Sequence, residues 1–234
     1  MTVRHGMAGV ALLAALALAG CATPAGGTPS GTAEPPPADQ GATDVAAAWL
    51  DDGRAIGLVT HGSSTCVPTA GDSTADGQTV TVALTDPEGK ACTQDLVPRA
   101  TFVGVPDSVD TSAGVTVVAT GAAEGTVQVG GAVGLSGTGT PTDYAPSAGW
   151  YSATGLVVLT WGSSTCVPTV QGVAATGEDA LTLTFADFPA DAVCTMDMVP
   201  RLVVVDAPAG PGDGDVTLTL EGGVSGTTTV LGHR

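Results

Sequence analysis

Apolar residues alternate with threonine over Thr79 to Leu84 (TVTVAL) and again over Ala180 to Phe185 (ALTLTF). A period of two sends successive side chains to opposite faces of an extended chain, so each stretch predicts a strand with one buried face. The same reading predicts strands at 55–60, 100–105, 115–120 and 126–129, and a second series at 156–161, 202–206, 216–220 and 227–230. Trp49-Leu50 leads through Asp51-Asp52-Gly53, a tight-turn sequence, into Ala55 to Thr60. Trp150-Tyr151 leads through Ser152 to Gly155 into Leu156 to Trp161, so each series is expected to open with a hairpin. Neither series contains a segment of helical period, and short strands separated by frequent turns predict an all-β chain.

The two series are copies. GSSTCVPT occurs at Gly62 to Thr69 and, unchanged, at Gly162 to Thr169; CTQDLVPR at Cys92 to Arg99 is echoed by CTMDMVPR at Cys194 to Arg201. Such self-similarity marks a duplicated structural unit. The expectation is two tandem small antiparallel β-sandwich or barrel domains, at 44–131 and 147–234, joined by a Gly/Thr/Pro-rich linker at 132–146. One sandwich sharing a core across both copies is disfavoured, because each copy has its own cysteine pair and its own strand set.

The region before the first copy reads differently. Arg4 and His5 precede an apolar run, Met7 to Ala19, which is short for a bilayer span and suited to the core of a signal peptide. Leu18-Ala19-Gly20-Cys21 resembles the bacterial lipobox, which implies a signal peptide over 1–20 and lipid on the Cys21 thiol. The alternative is ordinary secretory cleavage with Cys21 left free. Two or three acyl chains suffice for stable anchoring, at about 0.8 kcal/mol per buried methylene, so the expected membrane partner needs no transmembrane span. Residues 21–43 hold no aromatic, leucine, isoleucine or valine side chain and are read as a disordered Pro/Gly/Thr tether.

Charge narrows the partners. The chain holds 23 acidic residues against six Lys and Arg, a formal net charge of −17, and Lys90 is its only lysine. That field repels nucleic acid and offers no basic stripe to release phosphate counterions, so nucleic-acid binding is excluded.

With Cys21 assigned to lipid, four cysteines remain, and an even set in an exported protein reads as disulfides. Of three connectivities the repeat selects Cys66 with Cys92 and Cys166 with Cys194. Zinc is disfavoured by the lack of a CxxC pair or a nearby histidine, and no metal or cofactor is expected. GSSTC invites a serine nucleophile at Ser63 or Ser163, which requires a base. The histidines are His5, His61 and His233, and His61 is replaced by Trp161 in the second copy, so no equivalent base serves both serines. The hydroxyls are read instead as turn formers that aim the cysteine.

Asp95 with Arg99, and Asp197 with Arg201, are read as structural ion pairs beside the disulfides, with the arginine fork serving the carboxylate or loop carbonyls; Val97-Pro98 and Val199-Pro200 are expected to supply an irregularity between them. A role for these arginines in binding an anionic ligand is the alternative. Tyr144, Trp150, Tyr151 and Trp161 gather at the start of the second copy and are read as core or end plugs in preference to a sugar-stacking platform. Asp51-Asp52-Gly53 and Asp213-Gly214-Asp215 read as turns because the other ligands of a calcium loop are missing.

Lipobox, Thr/Pro-rich tether, WGSSTCVPT and CTxDxVPR together resemble lipoproteins of unknown function from the GC-rich genomes of actinobacteria. The resemblance implies a lipid-anchored protein on the extracytoplasmic face of the cell membrane and carries no activity with it. With no catalytic constellation in view, the expected role is a non-catalytic binding or interaction module whose partner is an envelope protein or a cell-wall glycan; a hydrolase or a solute-binding lipoprotein is the alternative.

Overall fold

The fold rests on strands that are buried on both faces. In a computed structural model that describes residues 45–208 and 215–232, six consecutive residues are buried in each of two central strands, Ala55 to Thr60 and Gly155 to Thr160. The expected signal peptide, the expected lipidation site Cys21 and the expected tether lie outside the described residues, as do Asp213 and Gly214.

The first copy contributes β1 (Val45–Leu50), β2 (Ala55–Gly62), the short β3 (Thr69–Ala70) and β4 (Thr74–Asp76), β5 (Thr79–Thr85), β6 (Val97–Gly104), β7 (Val115–Gly121) and β8 (Gly125–Val129). The second contributes β9 (Ser147–Trp150), β10 (Gly155–Gly162), β11 (Val170–Gly177), β12 (Ala180–Phe185), β13 (Val199–Asp206), β14 (Thr217–Gly222) and β15 (Gly226–Leu231). In the first copy one sheet has the order β1-β2-β6 and another the order β3-β5-β7-β8, with β4 also on β5. The second copy repeats both layers, but there β15 pairs with β9 and joins them into one sheet, β11-β12-β14-β15-β9-β10-β13. Among the described residues no helix is long and apolar enough to cross a membrane.

The all-β class is as expected, whereas the pairing is not purely antiparallel. β5 pairs with β7 and β12 with β14 in parallel. After β5 the chain crosses to the other layer as β6 and returns beside β5 in the same direction, which is a coil of solenoid type. A return through an intervening element is the condition for parallel pairing, because a tight hairpin can only produce antiparallel neighbours. Mixed sheets built from solenoid-like coils therefore replace the expected closed antiparallel sandwiches or barrels.

The alternation seen in the sequence assigns the inner faces. Ile56, Leu58, Val80, Val82, Val103 and Val117 enclose one cluster with Trp49; Leu156, Val158, Leu181, Leu183, Phe185 and Leu218 enclose the equivalent cluster in the second copy. Each fully buried side chain of this size contributes about 1.5–3 kcal/mol over its exposed state.

The copies are not separate bodies. A third cluster, Ala48, Leu50, Ala55, Val59, Val157 and Leu159, is formed by the outer faces of β1-β2 and β9-β10 against each other. Each copy thus keeps a core of its own, and this further cluster joins the two. The reason lies in the residues between those that build the inner clusters: they are apolar too, so β2 and β10 lack a solvent face. Close approach requires glycine, since a Cβ on Gly57 would lie 2.7 Å from Val157 Cγ1, and one on Gly149 would lie 3.0 Å from Ala48 Cβ. Gly57 and Val157 hold equivalent places in their copies, as do Ala48 and Gly149. Equivalent residues that touch each other imply an approximate two-fold axis between the sheets. Because Ala48 is also the cross-strand partner of Gly57, that axis runs across the strands and reverses their direction from one copy to the other.

Residues 132–146 bear this out and are more than a spacer. Gly137 N donates to Asp52 O at 2.9 Å, Arg54 Nε to Thr140 O at 3.2 Å and Thr142 Oγ1 to Asp51 Oδ1 at 3.0 Å. The segment thus straps the Asp51 turn of the first copy, and its Tyr144 ring meets Trp161, at the disulfide end of β10, edge-on at 5.3 Å. The disulfide end of one copy lies at the hairpin end of the other.

Candidate functional site

The repeated signatures meet in space. β2 ends at Gly62 and delivers the Gly62 to Thr69 loop, β6 begins at Val97, and the Cys66–Cys92 disulfide joins their approaches with Cα atoms 5.5 Å apart. Cys166–Cys194 does the same in the second copy, with Cα atoms 5.4 Å apart.

Arg99 faces Thr60 across the β2–β6 ladder. Its guanidinium folds over Gly62, donating through one terminal nitrogen to Cys66 O and to Ser63 O at 3.3 Å, and through Nε to Thr60 Oγ1 at 3.3 Å. A side chain at Gly62 would put its Cβ 2.6 Å from Arg99 Cζ, so the guanidinium lies in the space the repeated glycine leaves open. Arg201 reproduces the arrangement, with bonds to Cys166 O at 2.8 Å and Trp161 O at 2.9 Å, while its buried Nε has no partner.

Asp95 binds the same loop from the other side. Its Oδ1 accepts from Ser64 N at 3.1 Å and from the Thr93 hydroxyl. Hydrogen bonds from Ser64 and Thr93 hold the carboxyl down at about 2, and Ser164 and Thr195 do the same for Asp197, also at about 2.

Of the two partners expected for the arginine forks, the loop carbonyls are the ones held, while the ion pairs Asp95 with Arg99 and Asp197 with Arg201 are corrected. Among the described residues the salt bridge is Arg54 to Asp51 at 3.2 Å, and each signature's carboxylate and guanidinium bind different backbone groups of the loop. Val97-Pro98 and Val199-Pro200 do not form the expected irregularity either. They lie within β6 and β13, at sheet edges where proline's missing N–H removes no ladder bond.

The serine hydroxyls have hydroxyl neighbours. Ser63 Oγ lies 2.8 Å from Thr93 Oγ1 and 3.2 Å from Thr65 Oγ1; Ser163 Oγ lies 2.7 Å from Thr195 Oγ1 and 3.1 Å from Thr165 Oγ1. A nucleophilic serine needs an acceptor able to take its proton near neutral pH. The carboxylate terminating this network, held at about 2, is a weak base. His61 projects from the exposed end of β2 opposite Pro98, and its counterpart Trp161 packs edge-on against Phe102 at 5.8 Å.

Sequence reasoning passed over Asp51 as a turn residue. It is buried, its N–H donates to Ser147 Oγ at 2.9 Å, and burial raises its carboxyl above the usual range against the opposing pull of Thr142 and Arg54. Asp51 and Asp52 sit at φ of 50° and 54°, a left-handed conformation that costs most residues energy and that aspartate tolerates better than most. A cleft of about 210 Å³ opens beside them, lined also by Arg54 and Asp143. A second, of about 240 Å³, adjoins Trp49, Trp150 and Tyr151. Trp49 is 1% and Trp150 7% exposed, and Trp49 Nε1 donates to Gly130 O at 2.8 Å, so their ring faces belong to the core. Both clefts are below the roughly 300 Å³ at which ligand pockets commonly begin. Among the described residues, no three of His, Cys, Asp and Glu group to hold a metal ion.

The loops also present large apolar side chains. Of the eight large apolar side chains exposed among the described residues, Val67 and Leu96 lie on the first disulfide loop, and Val167, Val193, Met196 and Met198 on the second. Comparison with known proteins finds no matching family model, curated protein or solved structure.

Proposed function

We propose that the chain is a lipoprotein, anchored through Cys21 to the extracytoplasmic face of the cell membrane, that acts as a non-catalytic binding or interaction module of the envelope. Its partner is an envelope protein or a cell-wall glycan. Each repeat, 44–131 and 147–234, is read as a two-layer β unit, preceded by a signal peptide at 1–20 and a tether at 21–43.

One observation carries the reading. The residues the duplication preserves are engaged in holding two loops: the disulfide and the arginine fork fasten each loop to its strand, and the aspartate with the hydroxyls fixes its turn. Among the side chains those loops leave exposed are Val67 and Leu96 in the first copy and Val167, Val193, Met196 and Met198 in the second. A rigid loop that exposes apolar side chains has the makings of a contact surface, since little further ordering entropy is lost when it binds. A hydrolase reading lacks a base near Ser63 and Ser163, and a solute receptor of the usual kind needs a larger cleft than either described.

Two measurements test this. Replacing Cys21 with Ala is expected to release the protein from the membrane fraction, and retention there would overturn the anchor. The mature ectodomain used as bait against envelope extract is expected to retain a partner equally well with Ser63 and Ser163 changed to Ala. Retention of nothing, or loss of cellular function with the serines, would overturn the module.

A further inference from the structure

The duplication supplies an internal control for the loop surfaces. Both copies share the disulfide, the arginine fork, the aspartate and the hydroxyls, so the residues at which the loops differ are not dictated by the staple. At those places the first copy has Ala91, Gln94 and Leu96, and the second has Val193, Met196 and Met198. In the second copy these side chains stand in solvent: Val193 is 90% exposed and Met198 54%, while Met196 is fully exposed and Val167 beside Cys166 is 61% exposed. The disulfide and the bond from Thr195 N to Thr165 Oγ1, 3.1 Å, draw the two arms of this loop together. The result is one apolar tip on a fixed frame. Exposed groups of this kind mark interaction sites, and methionine adapts its unbranched, polarizable side chain to varied partner shapes.

Charge selects the occupant. Asp187, Asp191 and Asp197 belong to the loop, and no lysine or arginine occurs between Arg99 and Arg201. Arg201 itself is turned inward onto Cys166 O and Trp161 O. Along this arm the apolar residues are therefore flanked by carboxylates, and no cation on the arm opposes them. Resting on the reading of the chain as an interaction module, we infer that the second disulfide loop, through Val167, Val193, Met196 and Met198, docks an apolar pocket rimmed by Lys or Arg on a second protein. A second copy of this chain would bring carboxylates against carboxylates, and an anionic lipid surface would be repelled in the same way. The first loop, with Gln94, Ala91 and the lone Lys90, is the weaker surface.

The test uses the full chain in neutral detergent and, as probe, a fifteen-residue peptide of alternating Leu and Lys, with protein-free micelles as blank. The peptide is expected to bind, to shift the methyl resonances of Met196 and Met198, and to lose affinity as salt is raised. Met196→Ser with Met198→Ser should weaken binding by about tenfold or more, whereas Leu96→Ser should change it by less than about twofold. Met196→Leu with Met198→Leu keeps the apolar surface and should keep the affinity. Equal binding by the serine pair, or equal binding of a Leu/Glu peptide, would overturn the inference. So would methionine-dependent attachment to phosphatidylcholine vesicles, which would identify a bilayer, or methionine-dependent dimerisation, which would identify a second copy. An envelope partner retained by wild type and serine pair alike would remove only the tip; a chain that retains no partner removes the module reading itself.

Discussion

Asp95 and Asp197 tie part of the protein's stability to pH at the acid end. Each carboxyl is held at about 2, below its ordinary 3.8, by hydrogen bonds donated from its own loop. The unfolded chain then binds protons more readily than the folded one, so the stabilisation is full above about pH 4 and is lost as pH falls towards 2. Asp51 runs the other way: burial raises its folded value, so its contribution is present below 3.8 and is lost as pH rises through that folded value. Melting temperatures followed from pH 6 to pH 2 should therefore fall at the acid end in wild type and in Asp51→Asn. The fall should be shallower in the double variant Asp95→Asn, Asp197→Asn. Arg99 makes a separate prediction. Replacing it with Met strips Ser63 O and Cys66 O of a charged donor, and a cost of about 2–3 kcal/mol is expected in denaturant midpoints at unchanged m-value. The pairing of aspartate with arginine was the natural reading of a chain so poor in cations. It did not hold because the loop between them presents both backbone N–H and backbone C=O groups, and each charge has a nearer partner there.

At the scale of elements, the disulfides and the sheet edges carry the consequences. Cys66–Cys92 and Cys166–Cys194 close separations of 26 and 28 residues. Each limits the unfolded ensemble by about 3–4 kcal/mol in the chain-entropy model. Replacing Cys166 and Cys194 with Ser should lower the midpoint by an amount of that order and speed proteolysis within 186–198 ahead of the strands, as peptide mapping would show. Most strands were legible because threonine alternates with apolar residues in them. β11 was not: Val170–Gly177 reads VQGVAATG, is largely exposed at a sheet edge, and so lacks the buried face that creates a period. β3 and β4 were missed for the same reason, being short and half-exposed at the corresponding edge of the first copy. Pro98 and Pro200 misled in the opposite sense. A proline argues against a central strand, but β6 and β13 are edges, and edge position is a property of the sheet.

For the whole molecule, the cluster between the copies decides how it unfolds. Val157 and Leu159 are wholly buried there with Val59 and Leu50. Two units that bury each other's strands should melt together, so calorimetry is expected to show one transition, and Leu159→Ala should lower it without splitting it, at a cost of about 2–4 kcal/mol. Gly57→Val is expected to be worse than that, because its added side chain would meet Val157 across the two-fold with no room to move. Two separate transitions in the wild type would show that the contact contributes little.

The duplication, the all-β class, the cysteine partners and the acidic field were determined by sequence alone, since each depends on residue type and spacing along one chain. Only the tertiary structure decided that β5 and β7 lie parallel, that β2 and β10 are buried on both faces, that Asp95 and Arg99 grip the loop separately, and that the apolar tips point outward from it. Alternation can say that a strand has a buried face. It cannot say what covers the other face when that face is apolar too, because the covering strand lies about a hundred residues away and is recognised only by shape.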